Sequence, residues 1–181
     1  MPRHNPIRRA LPSILLVLGP LATPRAAIAQ GKPTPPPPPC TAAEYHQFDF
    51  WLGDWSVTTP DGKSAGTNLI TRPLGDCVLQ EHWVGSRGGR GESFNVYDAA
   101  RGLWHQTWVD DSGTLLLLEG RFEGGKMVLS GEQVTKAGSV LNRITWSPVH
   151  PGEVQQLWES SSDGGSTWSQ LFLGIYRPRK K

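Results

Sequence analysis

From Trp55 to Tyr176 no helical repeat of apolar residues lasts about ten positions, and this constrains the fold more than any other feature of the chain. Short apolar or alternating runs follow one another instead, separated by glycine-bearing turns, the pattern of a β-sandwich or β-barrel. About ten strands are predicted, near Trp55–Thr59, Ser64–Arg72, Cys77–Val84, Gly91–Tyr97, Leu103–Val109, Thr114–Arg121, Lys126–Gln133, Val140–Trp146, Glu153–Ser160 and Thr167–Tyr176. Pro60-Asp-Gly62, Asp110-Asp-Ser-Gly113, Glu123-Gly-Gly-Lys126 and Asp163-Gly-Gly165 place residues that tolerate positive φ at hairpin tips. Consecutive short hairpins make an antiparallel up-and-down meander, and one this long removes its exposed edges by closing on itself. The predicted class is therefore all-β, a barrel of about ten strands. That is wider than the eight strands whose side chains just fill a barrel, so a cavity is expected.

The first 29 residues read as an export signal: Arg3, Arg8 and Arg9 precede the apolar run Leu11 to Leu21, and Ala27-Ile28-Ala29 supplies a small-x-small cleavage site. Arg8-Arg9 invites a twin-arginine reading, but only Leu11 follows in that pattern, so Sec export is the expectation. The run is about half the length needed to span a bilayer, and no cysteine follows it at once, so no stable membrane anchor is expected. Losing the four arginines of this leader leaves 14 of the chain's 18 basic residues against 16 acidic ones, a formal charge of −2. With no basic stripe, nucleic-acid binding has no support. Residues 30–39 form a proline-rich spacer expected to be extended and disordered, leaving one domain at 40–178. The expected location is periplasmic or secreted.

Cys40 and Cys77 both fall in the exported part, and an even count there favours a disulfide between them. Closing so long a loop is worth roughly 3.5 to 4 kcal/mol in the chain-entropy model. Two separate buried thiols are the alternative. A metal site is not expected, because two cysteines without clustered histidines do not make one.

Ahead of the strands, Thr41-Ala-Ala-Glu44 has capping-box spacing, and Tyr45, Phe48 and Leu52 would give a short helix over about Ala42–Trp51 one apolar face with which to plug the barrel. The helix runs into Phe48-Asp-Phe-Trp-Leu-Gly-Asp-Trp55, where Gly53 gives the backbone freedom to pass from helix to strand. Gly53-Asp54-Trp55 resembles the Gly-x-Trp opening of lipocalin-like (calycin) barrels. Together with Gly75-Asp-Cys-Val-Leu-Gln-Glu-His-Trp83 and Leu103-Trp-His-Gln-Thr-Trp-Val-Asp110, it resembles a family of secreted bacterial lipocalin-like proteins of unknown function, over roughly Cys40 to Arg177. The resemblance implies a helix closing the barrel bottom, Trp55 opening the first strand, and an arginine of the last strand, here Arg177, lying over the Trp55 indole. Related haem-binding barrels use a histidine on a late strand. The predicted eighth to tenth strands have none, and His150 is expected in a proline-flanked loop, so no cofactor is expected.

Ser161-x-Asp163-x-Gly165-x-Thr167-Trp168 matches the Asp-box hairpin of sialidases and related propellers. Propellers repeat that unit in every blade, and this chain has one copy, so Asp163 and Trp168 are read as turn-builders rather than as a sign of glycosidase activity.

Strand alternation brings polar and aromatic residues together. Glu81 and Trp83 share a face, as do Trp104, Gln106 and Trp108, Arg143 with Leu141 and Thr145, and Gln156 with Trp158. Flat apolar surfaces with a few polar groups are what an amphipathic pocket needs, and these eight residues, Glu81, Trp83, Trp104, Gln106, Trp108, Arg143, Gln156 and Trp158, are the candidate ligand contacts. Alternation leaves inside and outside open; the opposite parity would move the site to Leu103, His105 and Thr107. On the parity chosen, His82 and His105 point outward.

No hydrolase elbow, zinc-protease motif or phosphate loop is present. Two functions follow. One is an exported barrel holding a small, partly apolar ligand, with no catalytic residue; the other is an isomerase or hydrolase in the same cavity, with Glu81 as general acid or base and Arg143 stabilising an anion. Binding is the favoured reading because no recognised catalytic constellation is present, and a strongly raised Glu81 pKa in an empty lumen would favour catalysis. A barrel filled by its own side chains is the third possibility. Oligomeric state is left open.

Overall fold

The computed structural model describes residues 38–136 and 138–180. The leader and the spacer up to position 37 lie outside the described residues.

Two short 3-10 turns, Ala43–His46 and Asp49–Trp51, precede ten strands. These are β1 (Gly53–Thr58), β2 (Ser64–Thr71), β3 (Val78–Gly85), β4 (Arg90–Asp98), β5 (Leu103–Asp110), β6 (Leu115–Glu123), β7 (Lys126–Thr135), β8 (Gly138–His150), β9 (Glu153–Ser161) and β10 (Ser169–Pro178). Each pairs antiparallel with its sequence neighbours, and β1 pairs with β10, so the meander closes as expected. β8 runs beyond its predicted end through Pro148 to His150, with a register shift between those two residues. Proline costs a ladder bond only where its N–H would be used, and a bulge accommodates it. His150 is thus on a strand end rather than in a loop.

The capping box does not form. The Thr41 hydroxyl donates to the Pro38 carbonyl, and Ala42 stands at the N-cap without a side-chain bond. The segment therefore turns as 3-10 rather than as one α-helix, but it does the plugging expected of it. Phe48 and Trp51 are fully buried and stack at 4.9 Å. Trp146 packs on both, at 5.2 Å from Phe48 and 5.3 Å from Trp51. Trp104 closes on Phe48 at 5.7 Å and donates from its indole to Gln47 Oε1 at 3.2 Å. The Cys40–Cys77 disulfide, Cα atoms 5.2 Å apart, staples the start of this plug to the residue before β3. Arg72, at the end of β2, pairs with Asp49 and donates to the Tyr45 carbonyl. One barrel end is thereby sealed.

Gly53 has φ 149°, and a Cβ there would meet the Trp55 indole at 3.0 Å. Trp55 itself is buried, donates to the Trp51 carbonyl at 2.9 Å and packs edge-on against Tyr176 at 6.3 Å. The arginine expected over it is not there. In the register of β1 with β10, Trp55 faces Pro178 and Val57 faces Tyr176; Trp55, Val57 and Tyr176 are buried and point inward, so Arg177, opposite Ser56, points out. Its half-exposed side chain pairs with Glu153 at 2.7 Å.

Candidate functional site

The end opposite the plug opens into a cavity of about 320 Å³. Six of the eight candidate residues line it: Glu81, Trp83, Gln106, Trp108, Gln156 and Trp158. Leu116, Ile144, Phe172 and Tyr176 complete the wall. The other two candidates lie elsewhere. Trp104 faces inward on the expected parity but sits lower, in the plug.

Arg143 is outside. Asn142, Ile144 and Trp146 are the buried residues of β8, so alternation turns Arg143 outward, where Nε and Nη2 donate to Glu159 at 3.1 and 2.9 Å and the guanidinium lies 3.9 Å from the Trp168 ring. It clamps the Asp-box hairpin to the barrel wall. Within that hairpin Asp163 accepts bonds from the Thr167 amide at 2.9 Å, the Thr167 hydroxyl at 2.6 Å and Ser161 at 2.7 Å, while the Trp168 indole donates to the Gly165 carbonyl. Those bonds, first the one from the Thr167 hydroxyl, hold the Asp163 carboxyl down at about 2. The two histidines lie outward, as the chosen parity requires: His82 pairs with Glu92 at 3.3 Å and His105 with Glu119 at 3.2 Å.

The polar floor of the cavity is a buried network that strand register assembles. Glu81 on β3 stands opposite Ser93 on β4, and Asn95 opposite Gln106 on β5. Glu81 is 4% exposed and Gln106 2%. Asn68 donates to Glu81 Oε1 at 2.7 Å and Ser93 to Oε2 at 2.6 Å. Gln106 donates to Asn95 Oδ1 at 2.7 Å, and Asn95 donates to Ser93 at 3.0 Å. Gln106 therefore reaches Glu81 through Ser93 and Asn95 and not directly. Tyr176 donates to Gln156 Oε1 and accepts from Asn68.

Burial raises the Glu81 carboxyl to about 7, against the opposing bonds from Ser93 and Asn68. Burial, then the Glu81 charge, lifts the Tyr176 phenol well above its ordinary value, so it stays protonated. Among the described residues no Lys or Arg forms an ion pair with Glu81. Nor is any cluster of three or more His, Cys, Asp or Glu placed to hold a metal ion among them.

Three glycines make room for the aromatic walls. A Cβ on Gly91 would lie 2.2 Å from the Trp108 ring, one on Gly66 2.8 Å from the Trp83 ring, and one on Gly174 2.6 Å from the Phe172 ring. Trp83 and Phe172 then meet edge-on at 6.3 Å across the short first hairpin, and the Trp158 indole is fixed by donating to Asn142 Oδ1 at 2.9 Å. Beyond them an outer cleft of about 940 Å³ runs between the β1–β2 and β3–β4 tips and the start of β10. A register shift at Leu171 brings that side chain to the rim of both.

Sequence reasoning missed Asn68, Ser93, Asn95 and Tyr176. The signal for two of them was inverted: β4 buries Gly91, Ser93 and Asn95 while Phe94 between them is half exposed. Polar-inward alternation was the available clue. The ten-stranded meander with a plugged end is compatible with a lipocalin-like fold. Comparison with known proteins finds no family model that matches the chain and no curated protein that matches its sequence.

Proposed function

We propose that this is an exported lipocalin-like barrel that binds one small, partly apolar ligand in its lumen. The observation that carries the reading is the cavity itself: about 320 Å³, sealed by the plug, walled by Trp83, Trp108, Trp158 and Phe172, and floored by a few fixed polar groups. That is the size and composition of small-molecule sites, with apolar area for affinity and a few polar groups for orientation. Export rests on the leader and on the disulfide, which fits an oxidising compartment. Among the described residues no helix is long and apolar enough to cross a membrane.

A second reading, acid–base catalysis, has one observation in its favour. A carboxyl at about 7 is poised for proton transfer near neutrality. Its proposed anion stabiliser, Arg143, faces the outside, so the donors that meet the Glu81 carboxyl are neutral, the Asn68 amide and the Ser93 hydroxyl. Binding is therefore preferred.

Native mass spectrometry of protein purified from its own source tests the proposal. A small molecule released at one per chain on denaturation is the expected result. A bare chain that also takes up no hydrophobic probe would count against it.

A further inference from the structure

Two lines of donors in the buried network end on Glu81. Gln106 donates to Asn95, Asn95 to Ser93, and Ser93 to Glu81 Oε2, while Asn68 donates to Oε1. Both carboxyl oxygens are acceptors, which is the arrangement that supports the ionised form and not the acid. Asn68 Oδ1, also buried, meets no donor among the described residues, so the network has acceptors in excess. Among the described residues no positively charged side chain pairs with it. His82, next on the strand, turns outward to Glu92, and the titratable group facing Glu81 from β10 is Tyr176, a neutral phenol. From β2 and β4 it is faced by the uncharged Asn68, Ser93 and Asn95. Lys63 and Arg87 line the outer cleft and not the lumen.

The walls point the same way. Three indoles, Phe172 and Tyr176 surround the cavity, and aromatic faces carry the negative lobe of the ring quadrupole, which attracts a cation most strongly where water is excluded. A buried anion inside an aromatic box is a site with its counter-charge missing. An anionic ligand would meet repulsion from floor and walls, and a neutral one would leave the network uncompensated.

We propose that the ligand is an organic cation, a protonated amine on an apolar body, its ammonium held by Glu81 within the aromatic box of Trp83, Trp108, Trp158 and Phe172. This rests on the reading of the lumen as a ligand cavity. Unliganded, the carboxyl sits at about 7, so at neutral pH the empty site is close to half protonated, and arrival of the amine drives it to the anion.

The test is a three-member probe series of one shape: 4-phenylbutylamine, 4-phenylbutan-1-ol and 4-phenylbutanoate, titrated into the purified protein with tryptophan fluorescence and calorimetry as readouts. At about pH 8.5, where the amine keeps its proton, the amine binds at least tenfold more tightly than the alcohol, and the carboxylate shows no binding. On lowering the pH to about 5.5 the amine loses about thirtyfold in affinity, because Glu81 must first give up a proton, while the alcohol is unaffected. Glu81→Gln abolishes the preference for the amine and keeps the affinity for the alcohol. The pH series on the unmodified protein decides the matter even if that variant does not fold. Equal binding of amine and alcohol, or a preference that persists in Glu81→Gln or ignores pH, overturns the cation assignment and leaves the ligand cavity standing. Failure of all three probes to bind overturns both.

Discussion

Glu81 is the residue on which the chemistry of this barrel turns, and its ionisation has a thermodynamic signature. Its value in the folded chain, about 7, lies above the ordinary 4.5, so between these the folded state binds the extra proton. The empty protein is therefore most stable, with respect to this group, below about pH 4.5, and loses stability as pH rises through about 7, by a total on the order of 3 kcal/mol. Urea denaturation at pH 5 and pH 8.5 checks this. The wild type should weaken across that interval relative to Glu81→Gln, whose amide does not titrate. Parallel behaviour of the two would mean that Glu81 ionises without penalty. Gly91 makes a second residue-scale test, because its missing side chain is the space the Trp108 ring occupies. Gly91→Ala should cost about 1 to 3 kcal/mol by overpacking and shift the tryptophan emission. Gly89→Ala, where the nearest atom is 3.9 Å away, should stay within about 0.5 kcal/mol. Equal effects at both positions would show that the indole lies elsewhere.

At the scale of elements, the plug and the β1–β10 seam divide the work. The plug is tied by a disulfide, by Arg72 and by stacked rings, whereas β1 meets β10 over four register pairs, Trp55–Thr58 against Pro178–Ile175. Much of what was legible in the sequence belongs here. Turn chemistry and short alternating runs specify the ten strands because glycine at a tip and period-two hydrophobicity are local properties. Strand parity on β3, β5 and β9 is the one chosen, although alternation alone left inside and outside open. On β8 it is the reverse of the one chosen: Arg143 and Asn142 are both polar, and Trp146, on the Asn142 side, was the better guide. Outside, Phe94, Val109, Leu115 and Leu117 are about half exposed, so hydrophobicity does not mark the interior of a barrel with a polar floor. The arginine lid over Trp55 was an inference from resemblance, and the register turns Arg177 away. Arg177→Ala should accordingly behave as the loss of an exposed ion pair, within about 1 kcal/mol in thermal or urea denaturation. A loss well beyond that would restore the lid.

The molecule as a whole is a closed sheet sealed at one end, with a lumen that its own side chains do not fill. Closure was expected from the exposed edges of so long a meander, and a cavity from its about ten strands. The polar floor was not, because Asn68, Ser93, Asn95 and Tyr176 come together only through the register of non-adjacent strands, which no single stretch of sequence encodes. The most direct measurement of the central claim is a titration with N-phenyl-1-naphthylamine, read by energy transfer from the cavity tryptophans. One saturable site per chain is predicted. Gln106→Leu, which leaves Asn95 Oδ1 without its donor at about 1 to 3 kcal/mol, should weaken uptake while the barrel stays folded, and Arg143→Ala, on the outer face, should leave uptake unchanged. Absence of saturable uptake, or uptake that follows Arg143 and ignores Gln106, would contradict a ligand-holding lumen.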